Sequence, residues 1–447
     1  MKFKNFVKKK YFSKLCLFLA IFILAIIIIN PFEIFSYLPK YLFYLIFLLF
    51  IASFLSLFIN NHIDVYLTVI SISLFFSIYL AEIYLAYKNY NYVETNPNIL
   101  NEKNKLNIEY DKRSKFKIFN DLKKENLNVV MAVPPLSYLF SGNVSKEKSL
   151  FPLSGISNSK TIHCNESGYY SIYKSDRYGF NNPDDVWDEQ KINLIIIGDS
   201  FVHGACVNRP NDLSSSLRTN YKLNVINLGY SSNGPLIEYA TLREYYSTNI
   251  EKVVWVFFEG NDILDLKFEK ENLILSNYLN DTNFTQELKY KQEKINTLNQ
   301  QVIFNEKKYY FKKLIKLGNL KEIFINLNNV KKKQITYNKN IKDKDILEFV
   351  EVIYKAKKFS NENNLDFYFV YLPDANRILD TNYDDKIYNN VKNELNKLGI
   401  KFIDLKKTMF GNNDNYLDYF PFKQIGHFNE LGYYRMSKEI YNFIYEK

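Results

Sequence analysis

Apolar residues are bunched at the start of the chain and punctuated by polar stretches afterwards. Residues 15–30 (LCLFLAIFILAIIIIN), 41–59 (YLFYLIFLLFIASFLSLFI) and 65–87 (VYLTVISISLFFSIYLAEIYLAY) are near-continuous apolar runs. A helix needs roughly 20 such residues to cross a hydrocarbon core about 30 Å thick. The pattern therefore predicts three transmembrane helices in an N-terminal anchor, residues 1–87. No small-x-small cleavage site follows the first run, which separates it from a cleaved signal peptide. The leader MKFKNFVKKKYFSK carries six lysines and no acid, whereas residues 31–40 carry only Glu33 and Lys40. Positive residues stay on the cytoplasmic side, and an odd number of crossings delivers everything after residue 88 to the far face. The expectation is a multi-pass protein of the cytoplasmic (inner) membrane with an extracytoplasmic globular part. Glu82 lies inside the third run near its end and is read as reaching toward the headgroups.

Residues 88–190 read as a linker and lead-in region: 88–105 are polar and unpatterned, a helix is predicted around Ser114 to Glu125, and a loop-rich stretch ends in Arg177 to Trp187. No chemistry is read there. From residue 191 short apolar runs recur: NLIIIG (193–198), NVINLG (224–229), VVWVFF (253–258), DFYFVYL (366–372) and KFIDL (401–405). Continuous β-branched and aromatic runs of this length suit strands buried on both faces. Between them, Asp345 to Asn364 and Tyr383 to Leu398 are long enough for crossover helices. Residues 191–447 are thus predicted to form an α/β domain, a parallel sheet with flanking helices. Residues 268–343, rich in Lys, Asn and Glu and without strands, read as a helical insertion in a loop at one edge.

The formal charge of +10 adds little, because the lysines are interleaved with Asn, Ile and Tyr and form no basic block. Nucleic acid is not an expected partner. Of three cysteines, Cys16 falls in the first apolar run, and no CxxC or Cys/His spacing suits a metal; no metal or cofactor is expected. Outside the cytoplasm Cys164 and Cys206 can pair as a disulfide, tying a lead-in loop to the segment after Ser200. The alternative is two unpaired, small core residues.

Ligands bind outside the carboxyl ends of strands in an open parallel sheet. Three apolar runs end there in distinctive turns: Gly198-Asp199-Ser200-Phe201, the stretch from Asn227 to Pro235, and Glu259-Gly260-Asn261-Asp262. A later block, Gly426 to Gly432 with His427, opens the last predicted helix. A serine hydroxyl becomes a useful nucleophile when a base takes its proton, and the tetrahedral intermediate needs donors aimed at its oxyanion. Ser200 at a strand-to-helix turn places its hydroxyl and N–H at the sheet edge, Asn261 offers a side-chain amide, and the 229–234 turn offers backbone N–H groups.

These four blocks, in this order, resemble those of the SGNH (GDSL-like) hydrolase family over roughly residues 177–447, most clearly in 195–266 and 418–437. The resemblance implies an SGNH-type, flavodoxin-like sheet with Ser200 as nucleophile and His427 as base. Among four histidines, His62 lies between apolar runs, His163 in the lead-in region, and His203 three residues after Ser200, where it approaches the hydroxyl only awkwardly. The family's usual acid sits two or three residues before the histidine, where this chain has Gln424 and Ile425. Either a Ser–His dyad operates or an acid arrives from elsewhere, Asp418 and Asp404 being the nearest candidates. The implied oxyanion donors are Ser200, Asn261 and one of Gly229, Ser232 and Gly234. Asp199 and Asp262 are read as holding their turns.

The family comprises esterases, lipases, carbohydrate deacetylases and O-acetyltransferases. With the membrane placement, this implies hydrolysis or transfer of acyl groups, chiefly O-acetyl, on an extracytoplasmic carbohydrate. Expected partners are an acylated carbohydrate or other acyl ester, the lipid bilayer and, for a transferase, a membrane acyl-donor protein. The departure at residues 424 and 425 keeps a second reading open: a catalytically weak binding or assembly component of a cell-surface polysaccharide system.

Overall fold

The structure is a computed structural model and describes residues 11–29, 41–93, 99, 103, 109–125, 128–140, 150–329, 341–379, 384–411 and 415–446. It divides into two compact units, Met1–Tyr87 with Lys313–Leu327, and Lys88–Lys312 with Asn328–Lys447. Its helices include α1 (Tyr11–Ile29), α2 (Tyr41–Ser56), α3 (Asn61–Asn91), α4 (Lys115–Lys124), α5 (Ser200–His203), α6 (Leu213–Tyr221), α7 (Pro235–Tyr245), α8 (Asp262–Glu269), α9 (Leu273–Asn280), α10 (Gln292–Ile315), α11 (Gly318–Asn329), α12 (Asp343–Glu362), α13 (Lys386–Lys397) and α14 (Glu430–Tyr445). The strands are β1 (Val129–Met131), β2 (Lys160–Ile162), β3 (Ile172–Lys174), β4 (Leu194–Ile197), β5 (Val225–Asn227), β6 (Lys252–Phe258), β7 (Asp366–Leu372) and β8 (Lys401–Asp404).

In the first unit, the three predicted spans reduce to one helix that is long and apolar enough among the described residues, His62–Asn91. The other described apolar stretches, Tyr11–Ile21 and Phe47–Ser56, are shorter. Polar contacts between described residues order these helices. Asp64, near the start of α3, accepts from the Tyr11 N–H at the start of α1 (2.7 Å), and Ser13 Oγ meets Ser53 Oγ near the end of α2 (2.9 Å). The starts of α1 and α3 therefore share one end, and α2 runs antiparallel to α1. Glu82 does not reach outward as the sequence reading expects. It is buried and accepts from Asn319 N (3.0 Å), Asn319 Nδ2 (2.7 Å) and Leu320 N (2.9 Å) at the start of α11.

In the second unit a five-stranded parallel sheet has the order β5-β4-β6-β7-β8. Strand residues alternate between two apolar cores. Ile195, Ile197, Trp255 and Phe369 face one core with Leu236 of α7, Phe349 of α12 and Val391 of α13. Leu194, Ile196, Val254 and Val370 face the other with Leu217 of α6 and Met436 of α14. Because both faces are covered, strand sequences are apolar throughout, which is why they read as continuous runs.

The lead-in region supplies what periodicity could not reveal. Its strands β1, β2 and β3 form a separate sheet, β1 parallel to β2 and β2 antiparallel to β3. Three residues are too few to display a period of two. The insertion is helical in its described part (α9, α10 and α11), and residues 330–340 lie outside the described residues.

Candidate active site

Ser200 owes its position to local chemistry at the end of β4. A Cβ on Gly198 would lie 2.5 Å from Val202 Cγ2 and 3.0 Å from the Val256 carbonyl, so only glycine lets the chain turn this tightly against β6. A Cβ on Gly229 would lie 2.4 Å from Val202 Cβ, so α5 is seated between two glycines. Asp199 Oδ1 accepts from Phe201 N (2.9 Å) and caps the short helix that Ser200 begins. The chain leaves β4 for β5 on one side and returns to β6 on the other. Ser200 thus sits at the topological switch point, where a crevice opens at the strand ends.

His427 Nε2 lies 2.8 Å from Ser200 Oγ, and His427 Nδ1 lies 2.8 Å from Glu166 Oε1. Glu166 Oε2 also accepts from the His427 backbone N–H (2.8 Å), so one carboxylate orients both ring and main chain. The carboxylate that meets the His427 ring is therefore neither Asp418 nor Asp404. Asp404 accepts from Tyr388 Oη (2.5 Å) and Lys392 Nζ (2.8 Å), and Asp418 pairs with Lys423 (2.9 Å). Each is already neutralised by a lysine away from the ring.

Glu166 comes from the loop between β2 and β3, closed by the Ser171 N–H on the Cys164 carbonyl (2.8 Å) and the His163 N–H on the Ser171 carbonyl (2.9 Å). Cys164, two residues before Glu166, is disulfide-bonded to Cys206, six residues after Ser200. The bond ties the Glu166 loop to the Ser200 loop. This pairing was the one sequence clue to Glu166, since it brings its neighbourhood to Ser200. Glu166, Cys206 and His427 offer ligand-type atoms within 4.8 Å of one another, but the Cys206 sulfur is committed to the disulfide and the other two groups bond each other.

Burial opposes the charged form of both partners, and their mutual bond outweighs it. The His427 ring is held above its usual value, with the Asp199 carboxylate adding to the effect of Glu166. Glu166 is held below the usual carboxylate range by the His427 ring and backbone.

The three candidate turn amides separate clearly. Gly229 N donates to Asn227 Oδ1 (2.8 Å) and Gly234 N donates to Glu269 Oε1 (2.8 Å), so both are committed to holding the turn. Ser232 adopts a left-handed φ of 62°, and no described residue accepts from its N–H. Asn261 Nδ2 donates to Asp265 Oδ2 (2.6 Å), which fixes the side chain and leaves the amide's second hydrogen. Burial pushes the Asp265 carboxyl up to about 7, against the Asn261 bond. Asp262 Oδ2 accepts from Phe258 N (2.8 Å) and closes that turn.

His203, too close in sequence to Ser200 to serve as its base, supports the 230–233 turn instead. Ser231 N donates to His203 Nδ1 (3.1 Å), so Nδ1 carries no proton and Nε2 donates to Tyr173 Oη (2.7 Å). His163 Nε2 lies 2.6 Å from Ser231 Oγ, and the two imidazole rings are 4.1 Å apart. Burial, with the nearby Lys115 and His427 charges, holds His203 down to about 3, so it stays neutral. Ser231→Ala should loosen the neighbouring Ser232 amide. Losing a whole oxyanion donor costs about 10²–10³ in kcat, and a loosened one should cost about tenfold, with KM nearly unchanged. Steady-state kinetics checks this; a rise in KM with intact kcat would contradict it.

A hollow of about 190 Å³ opens beside His427, with Phe201, Phe258, Leu372 and Phe428 in its walls.

No protein-family model and no curated protein matches the chain. Among solved structures it is similar to a proposed lipolytic protein of the G-D-S-L family from Desulfitobacterium hafniense DCB-2, at 14% identity and a TM-score of 0.33, over 57% of this chain and 100% of that one.

Proposed function

We propose that this chain is an SGNH-type serine enzyme that hydrolyses or transfers acyl groups, chiefly O-acetyl, on an extracytoplasmic carbohydrate. The observation that carries the reading is the unbroken series Ser200 Oγ, His427 and Glu166, with 2.8 Å at each link. His427 Nε2 takes the hydroxyl proton as Ser200 Oγ attacks the ester carbonyl. The resulting oxyanion is received by donors at the Ser200 N–H, the Ser232 N–H and Asn261 Nδ2. Collapse expels the alcohol, which takes its proton from His427 and leaves an acyl group on Ser200. Water or a sugar hydroxyl, deprotonated in turn by His427, then displaces Ser200. Glu166 holds the ring in the tautomer this requires and stabilises the imidazolium. The apolar walls beside His427 suit an acyl or alkyl group better than a charged one.

The extracytoplasmic, multi-pass placement is supported by the up-and-down order of α1, α2 and α3, by the lysine-rich leader, and by the Cys164–Cys206 disulfide, a bond that persists in oxidising compartments. A transferase would draw its acyl group from a membrane donor protein. The second reading, a catalytically weak binding component, rested on the missing acid. The Glu166 bond to His427 favours the first reading.

The full chain in detergent should react with a fluorophosphonate ester, and the label should map by mass spectrometry to the peptide containing Ser200. An unlabelled Ser200, in protein that remains folded, would sink the assignment.

A further inference from the structure

Helix His62–Asn91 has 30 residues and rises about 45 Å, the thickness of a bilayer with its headgroups. Its exposed surface is apolar at Ile72, Phe75, Phe76 and Leu80. Glu82 stands nine residues before Asn91, about 14 Å along the helix from that end and just inside the edge of a hydrocarbon core about 30 Å thick. A carboxylate at this depth is costly unless bonded, and its bonds come from the first amides of α11. One turn away on α3, Tyr79 Oη donates to the Ile315 carbonyl (3.1 Å). Tyr79 and Glu82 thus fix residues 315–320 at the depth where acyl chains meet headgroups.

The rest of α11 matches that depth. Apolar residues recur at 320, 323, 324 and 327, the i, i+3, i+4, i+7 spacing of an amphipathic helix, with Lys321, Glu322 and the apolar Ile325 outside the stripe. Ile323 remains 42% exposed, and Ile315 at the end of α10 54%. Lys313 and Glu322 neutralise each other (2.7 Å), which lowers the cost of holding both near lipid.

We propose that α11 is an interfacial helix, lying at the acyl-chain boundary of the bilayer with Ile323 against lipid and pinned to the membrane helix through Glu82. The proposal rests on α3 crossing the membrane. Its partner is the lipid bilayer itself.

Electron paramagnetic resonance tests it on the full chain reconstituted in phosphatidylcholine vesicles. A nitroxide is placed on a cysteine introduced as Ile323→Cys in a Cys16→Ser background, and separately as Phe76→Cys at mid-helix. Oxygen should relax both labels more strongly than a water-soluble nickel chelate. The reverse order at position 323, with Phe76→Cys still favouring oxygen, overturns the interfacial helix and leaves the membrane helix standing. The reverse at both positions overturns the membrane reading itself. In the Glu82→Ala variant the label at position 323 should lose its oxygen preference and gain mobility; an unchanged spectrum overturns the anchoring role of Glu82.

Discussion

Ser200→Ala is expected to lower kcat for hydrolysis of an aryl acetate by about 10⁴ to 10⁶, with KM little changed. In the proposed mechanism the substitution removes the atom that forms the acyl-enzyme, while the backbone amides at 200 and 232 and Asn261 survive to bind the developing oxyanion. That residue of stabilisation is why the predicted activity is low and not zero. The fold should tolerate the change: α5 is held by the Asp199 cap and the Gly198 and Gly229 approaches, and Ser200 Oγ contributes only its bonds to His427 (2.8 Å) and Asp199 (3.3 Å). A circular dichroism melt close to that of the unaltered chain, together with lost turnover, would establish the role. Undiminished turnover in the variant would rule Ser200 out as nucleophile.

Glu166→Gln should lower kcat by about 10² to 10⁴, because the amide can no longer stabilise an imidazolium and can present an N–H where Nδ1–H needs an acceptor. The pH profile gives the more specific readout. His427 works as a base only when neutral, so activity rises with pH through its pKa, which lies above the usual histidine value despite burial. The Glu166 bond and charge are the largest influences raising it. Removing them leaves burial to dominate, so the acidic limb should move to lower pH even as the plateau falls. A lowered plateau with an unmoved limb would mean that Glu166 acts on the fold and not on the ring. Asp404→Asn and Asp418→Asn, by contrast, should leave both limb and plateau within about twofold, as expected for groups remote from the chemistry.

The contrast between these carboxylates shows where the sequence stops being informative. Asp418 and Asp404 were put forward from their place in the chain ahead of His427, and proximity along the chain is the only distance a sequence offers. Glu166 precedes Ser200 in a stretch whose strands span three residues each, too short for a period to register. It reaches the ring because the β2–β3 loop and the Cys164–Cys206 bond carry it there. The oxyanion turn divides in the same way. Its composition marked Gly229, Ser232 and Gly234 alike, and only the side chains of Asn227 and Glu269, which occupy the two glycine amides, leave Ser232.

From the sequence alone came the five apolar runs that became the parallel sheet, the crossover helices, the turns that expose Ser200 and His427, and the pairing proposed for Cys164 and Cys206. All but the last are local, set by backbone propensity, burial periodicity and capping within a few residues. Tertiary structure decided which carboxylate orients His427, which amide is left for an oxyanion, that His203 supports a turn, and that Glu82 caps a distant helix. Each of those depends on side chains brought together across long stretches of chain, where the deciding quantity is which buried polar group has already found a partner.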